Sequence, residues 1–369
     1  MPENSSSSSL VERMSPNAAR LVLALLVVLA ALLVWIGLGI SEPVKRAGPT
    51  DLDTYQRVVE ALRGGQNYYL ALHAALLDGG YGTLSPLNWR PPLFLTLLSW
   101  LPTLAAAQAL LEVLTAAAWV TAVAYLYRRG NLAAATIGAI LLPLSLLSIF
   151  ADRAELSFEL CAGTLLLISV SAYGLGWRWL GFAVAVLALF VRELAILYAV
   201  VCLVTAIKER WWREVVGWAV ALTAYGAFYL WHWNQLSALI GPADHGASVD
   251  WLQFGGLRFV LRTAAFNGIL LVLPYWAAAL ALVVGLAGLV TMPRALATVV
   301  LYLLLFLVYG RPENGYWGAL YAPLIVLGIA RAPSVFSALL VRSRQSSAAE
   351  RADAPHSGSS PPSADGSVR

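Results

Sequence analysis

Apolar residues run along this chain in long stretches broken by short charged turns. A helix that crosses a bilayer needs roughly 20 mostly apolar residues, and about ten segments approach that length. They fall at 20–40, 104–127, 131–150, 155–173, 177–190, 193–207, 214–233, 265–290, 295–309 and 316–331. The pair at 177–190 and 193–207 is short for full crossings, which predicts tilted or broken helices there. Residues 1–19 are a polar, Ser-rich leader, and no small-residue cleavage pattern closes the first run, so it reads as a retained signal anchor. The expected fold class is an all-α polytopic membrane protein whose main domain spans 20–331.

Composition removes the soluble alternative. The chain is 60% hydrophobic and 12% charged, whereas a soluble domain is about half apolar and about a quarter charged. Cys161 and Cys202 both lie inside apolar runs and are expected to be packing residues, neither a disulfide framework nor a thiolate metal site. Threading the runs alternately puts Arg128, Arg129, Arg178, the 208–213 turn, Arg294 and everything from Arg331 onward on one side. The positive-inside rule makes that side cytosolic, together with both termini. The segment 332–369 ends in a Ser-, Pro- and Ala-rich stretch without apolar period and is expected to be a largely disordered cytosolic tail.

Two connections on the opposite, outer side are longer than a turn requires: 41–103 and 234–264. In the first, Leu52, Tyr55, Val58, Val59 and Leu62 recur at helical spacing. Thr50 and Asp53 stand as a capping box before them and Gly64 with Gly65 supplies a stop. This predicts an amphipathic helix lying on the membrane. A second apolar stretch, 91–102, is too short to cross and is bounded by prolines, which predicts an interfacial or re-entrant helix.

Candidate chemistry enters with the ionisable residues at the outer ends of the runs. Such a group at membrane depth costs on the order of 3 kcal/mol on insertion scales, so it normally faces protein or a wet cavity. Asp152 and Glu155 lie about one helical turn apart, with Glu159 a further turn on; Arg192 and Glu193 separate two apolar runs; Arg311, Glu313 and Asn314 precede the last. They are expected to converge on one outward-facing cavity. Plainer readings stand beside this one. Arg90, just before Pro91 and Pro92, suits a snorkelling arginine, Arg192 and Glu193 suit a local ion pair, Asp53 a cap, and Asp51 a first-turn acid favoured by the helix dipole. Glu112 suits an interhelical hydrogen bond. His73, His232 and His245 lack metal-ligand spacing, so a divalent metal is not indicated, and no nucleotide-binding Gly-rich motif is visible.

In this order the pieces resemble the integral-membrane glycosyltransferases of the C superfamily. There, a first span leads into a large outer loop with an early acid and membrane-parallel helices, a second acid follows the third span, and another outer loop follows span seven. The corresponding features are Asp51 and Asp53 in DLDTY, Asp152 in DRAE, and 234–264. The bacterial branch of family 87, polyprenol-phosphate-dependent hexosyl- or mannosyltransferases, is closer still. Its first loop resembles DLDTY at 51–55, RGGQNYY at 63–69 and RPPLF at 90–94. The chain departs from that branch in having Trp89 and Arg90 before the prolines and two acids in the first motif.

The resemblance implies transfer of a sugar from a polyprenyl-phosphate donor to an acceptor hydroxyl on a glycan, lipid or protein at the outer face of the cytoplasmic membrane. It implies catalytic acids among Asp51, Asp53 and Asp152, with Asp51 as general base because it stands four residues before Tyr55. Arg90 and Arg192 would bind the donor phosphate, and Tyr55, Asn67, Glu155, Glu193, Arg311, Glu313 and Asn314 would contact substrate. No further cofactor and no nucleic-acid partner are expected. A transporter or lipid flippase with a charged outward cavity is the rival reading, although transporters commonly show inverted repeats and this chain gathers its unusual sequence in the first loop.

Overall fold

The computed structural model describes residues 13–41, 48–242, 244–246 and 253–352, with side chains as far as 345. Every regular element among them is helical. The α-helices are α1 (Pro16–Leu38), α2 (Asp51–Arg63), α3 (Tyr68–Asp78), α4 (Leu93–Trp100), α5 (Leu104–Arg129), α6 (Leu132–Ser145) and α7 (Phe158–Gly174). They continue with α8 (Arg178–Val191), α9 (Ile196–Lys208), α10 (Trp212–Ser237), α11 (Gly256–Ala265), α12 (Tyr275–Leu289), α13 (Pro293–Val308) and α14 (Ala322–Ala352).

Among the described residues four helices are long and apolar enough to cross a membrane: Pro16–Leu38, Leu104–Arg129, Leu132–Phe150 with its 3-10 end, and Ala322–Gln345. Shorter apolar helices are Phe158–Gly174, Arg178–Val191, Tyr275–Leu289 and Pro293–Val308. The bundle leaves many large apolar side chains uncovered, among them Val27, Val28 and Trp35 on α1, Val113 on α5 and Val216 on α10. Monomeric soluble proteins rarely expose contiguous apolar surface of this kind. These are the features of a helical membrane protein.

Local chemistry sets many of the boundaries. Ser15, Thr103, Asn131 and Ser157 each accept a hydrogen bond from the first turn of the helix they precede, satisfying amides that have no partner inside the helix. Thr50 and Asp53 complete the capping box of α2 in both directions. Between α8 and α9 the chain is extended at Arg192 (φ −141°, ψ 119°), so two short helices replace continuous ones. Glycines let helices touch backbone to backbone: a Cβ at Gly288 of α12 would stand 1.8 Å from the Gly328 carbonyl oxygen on α14.

Several expectations need correction. The run at 265–290 is broken, because α11 ends at Ala265 and a 3-10 turn (Gly268–Val272) intervenes before α12. Gly268, at φ 50°, lies so close to α6 that a Cβ would stand 1.9 Å from the Leu144 carbonyl oxygen, which no continuous helix of larger residues allows. The last helix does not end at 331 but continues to Ala352 across Pro333. Val335 and Leu339, one turn apart, pack on Ala19 of α1, and the Arg342 Nε donates to the Met14 carbonyl at 2.6 Å. The rest of the expected tail, 353–369, lies outside the described residues. Helix α3, at Tyr68–Asp78, lies between the two helices expected within 41–103, at a position where the pattern predicted none, and Glu112 accepts from Gln108 on its own helix rather than from a neighbour (2.9 Å).

Candidate functional site

The first turn of α2 carries both acids of the DLDTY motif and points them at different partners. Asp51 accepts from the hydroxyls of Tyr81 (2.6 Å) and Tyr316 (2.7 Å), one on each carboxylate oxygen. Its side chain remains partly exposed, and each oxygen keeps a second lone pair. Asp53 turns back on its own helix, accepting from the Thr50 amide (2.6 Å) and hydroxyl (2.7 Å), and pairs with Arg153 Nη1 at 2.5 Å. Those Thr50 bonds, with Arg153 beside them, hold its carboxyl well below the usual carboxylate range. Asp53 is thus fully engaged as a cap and anchor, whereas Asp51 presents an acceptor.

One turn along α2, the buried Tyr55 hydroxyl accepts from Arg90 Nε at 3.0 Å. Burial pushes that phenol up, away from ionisation. Arg90 then donates through Nη1 to Glu193 Oε1 (2.7 Å), and the same oxygen takes Nη1 of Arg192. On its other side Arg192 Nε lies 2.8 Å from Glu159 Oε1, an ion pair whose atoms are not aligned as a hydrogen bond. Two arginines and two glutamates therefore form one buried, charge-balanced chain. Buried charges are tolerated only when paired in this way. Nη2 of both arginines is left without a hydrogen bond among the described residues.

The structure therefore brings together Asp51, Tyr55, Arg90, Arg192 and Glu193 from the sequence reading. It leaves others apart. Asp152 is 87% exposed and pairs with its neighbour Arg153. Asn67 is an exposed helix cap that accepts from the amides of Tyr69 and Leu70. Arg311 and Glu313 pair with each other at 2.8 Å. Glu155 is buried in the 3-10 turn Ala154–Leu156 without a hydrogen-bond partner among the described residues. Asn314 is buried, with Nδ2 unpartnered.

Three participants escaped the sequence reading. Tyr81 and Tyr316 come from a turn and from the 3-10 segment Pro312–Leu320, and tyrosine at a membrane boundary is too common to stand out. Arg153 pairs with Asp53 from a left-handed backbone (φ 58°), which its residue type does not announce. Among the described residues no group of three His, Cys, Asp or Glu side chains could hold a metal. His73 instead pairs with Asp244 at 2.7 Å, and His232 bonds Tyr69 and Trp89.

The large cavity is not at this cluster. A space of about 1030 Å3 opens at the other end of the bundle, among Arg129, Arg178, Lys208, Arg294 and Arg331. Helix α7 connects the two, with Glu159 at its charged start and Tyr173 on the cavity wall, about 21 Å apart at the α-helical rise. Of the charged residues expected to line one outer cavity, Glu159, Arg192 and Glu193 are instead packed against one another and Arg90, while Asp152 is exposed. No family model, no curated protein and no solved structure matches this chain.

Proposed function

We propose that this chain is a polytopic glycosyltransferase of the C-superfamily type, set in the cytoplasmic membrane with ten crossings and both termini in the cytosol. It moves a sugar from a polyprenyl-phosphate donor to an acceptor hydroxyl at the outer face. The observation that carries the reading is the convergence of Asp51, held by two tyrosine hydroxyls, with the Tyr55, Arg90, Glu193 and Arg192 chain. Asp51 takes the proton of the acceptor hydroxyl as its oxygen attacks the anomeric carbon. The bond from that carbon to the phosphate oxygen breaks, and the phosphate leaves with the electron pair. The open Nη2 donors of Arg90 and Arg192 suit the charge that develops there, since guanidinium forks match phosphate geometry.

The test is transfer from a radiolabelled polyprenyl-phosphate hexose by the purified full chain in detergent, with Asp51→Asn as the comparison. Donor consumption by the wild type and its loss in the variant support the reading. A wild-type protein that consumes none of the common polyprenyl-phosphate hexoses, yet moves an intact lipid across vesicles, would replace it with the transporter reading.

A further inference from the structure

Two cations on the wall of the cavity at the basic end, Arg294 and Arg331, bond no acid among the described residues, although Glu209 lies on the same wall. Of the five basic residues on its wall, Arg178 is paired, with Glu209 and with Glu214, the latter at 3.2 Å. Among the described residues Arg294 makes no hydrogen bond or ion pair; its guanidinium carbon stands 3.6 Å from the centre of the Tyr173 ring, and its Nε is sealed from solvent without a partner. Among the described residues Arg331 donates only to the Thr291 hydroxyl, at 3.3 Å. Both arginines are partly buried; drawing a guanidinium away from water without a bonded counterion is disfavoured, and the face of one tyrosine offsets only part of that. The remaining wall mixes polar groups, Asn131, Thr205, Glu209, Thr291 and Ser334, with aliphatic side chains. Val200 and Val204 of α9 and Val300 of α13 lie on it and are also open to the outside of the bundle. Head group and tail thus have separate surfaces: cations inward, and an aliphatic rim facing the region a bilayer's acyl chains occupy.

We propose that this cavity binds a phosphate-bearing membrane lipid, its phosphate between Arg294 and Arg331 and its chain leaving past Val200, Val204 and Val300. The site lies at the opposite end of α7 from Asp51 and does not depend on the transferase reading. Arg294 lies in the first turn of α13 and Arg331 within α14, so an anion bridging them also ties those helices together.

The experiment uses the full chain in detergent micelles with a fluorescent phosphatidic acid. The wild type should bind it at least about tenfold more tightly than the phosphatidylcholine analogue, and inorganic phosphate should not displace it. Arg294→Gln with Arg331→Gln should lose about tenfold or more, and Arg294→Lys less, because the charge survives while the fork is lost. Ala297→Trp fills the cavity without touching a charge and should also abolish binding, which keeps the test decisive if the double variant fails to fold. Tight binding by a folded double variant or by Ala297→Trp overturns the site. Displacement by inorganic phosphate would show a free-anion site and overturn the lipid assignment.

Discussion

Arg90 and Arg192 meet on a single carboxylate oxygen, Oε1 of Glu193. They approach from different parts of the chain, Arg90 from the loop before α4 and Arg192 from the extended break between α8 and α9. The shared acid is what permits two guanidinium groups to lie side by side in a buried setting. Removing its charge leaves two cations opposed. Glu193→Gln should therefore destabilise by about 3 kcal/mol or more, measured as unfolding in detergent. Asp152→Asn, at an exposed surface pair worth about 1 kcal/mol at most, is the contrast. Equal effects of the two substitutions would deny the bridging role.

For the reaction, the acids of DLDTY separate by their partners. Asp51→Asn should fold and lose about 100-fold to 10,000-fold in transfer rate, the usual range for a general base, while Asp53→Asn should stay active. Tyr316→Phe removes one of the two hydroxyls that orient Asp51 and should lose about 10-fold to 100-fold, as for a hydrogen bond to a charged group. Near-normal transfer by Asp51→Asn, or a dead Asp53→Asn, would assign the base elsewhere.

The pattern of the chain made the helices and the α2 capping box legible, because both depend on neighbours in sequence: Thr50 and Asp53 stand three residues apart. It also pointed to Arg90, Arg192 and Glu193, since charge next to an apolar run is conspicuous. The tyrosines on Asp51 were not legible. Tyr316 lies 265 residues from its partner, and only packing brings them together. The basic cavity was hidden for a different reason. Arg294 and Arg331 satisfy the positive-inside pattern so well that the rule explained them, and only the packed structure shows that they line a shared space where, among the described residues, neither bonds a carboxylate.

The Asp53 anchor has a defined pH dependence. Its folded-state pKa is depressed by Thr50 and Arg153, so the stability it contributes is present above the ordinary carboxylate value near 4. It fades as pH falls through the depressed value. Asp53→Asn should melt below the wild type at pH 7, and the gap should shrink steadily below about pH 4. A gap independent of pH between 7 and 3 would show that the carboxylate charge is not what Thr50 and Arg153 hold.

Membrane helices gain little from burying apolar surface against each other, because lipid is equally apolar; close backbone approach through small residues takes its place. One place where this chain uses the device is the crossing of α12 and α14. A Cβ on Gly288 would stand 1.8 Å from the Gly328 carbonyl oxygen, and one on Gly328 would stand 2.0 Å from that of Gly285. Neither obstacle is a side chain that can rotate away, so the helices themselves must separate. Gly288→Ala should then lose about 1–3 kcal/mol, the range for overpacking, despite the higher helix propensity of alanine. Gly226, in α10, has no heavy atom within 4 Å of the same position, so Gly226→Ala should gain up to about 1 kcal/mol from propensity alone. Unfolding of both variants in one detergent gives opposite signs if the α12–α14 contact is as close as described; a shared sign for the two would mean that the crossing is looser than its backbone distances.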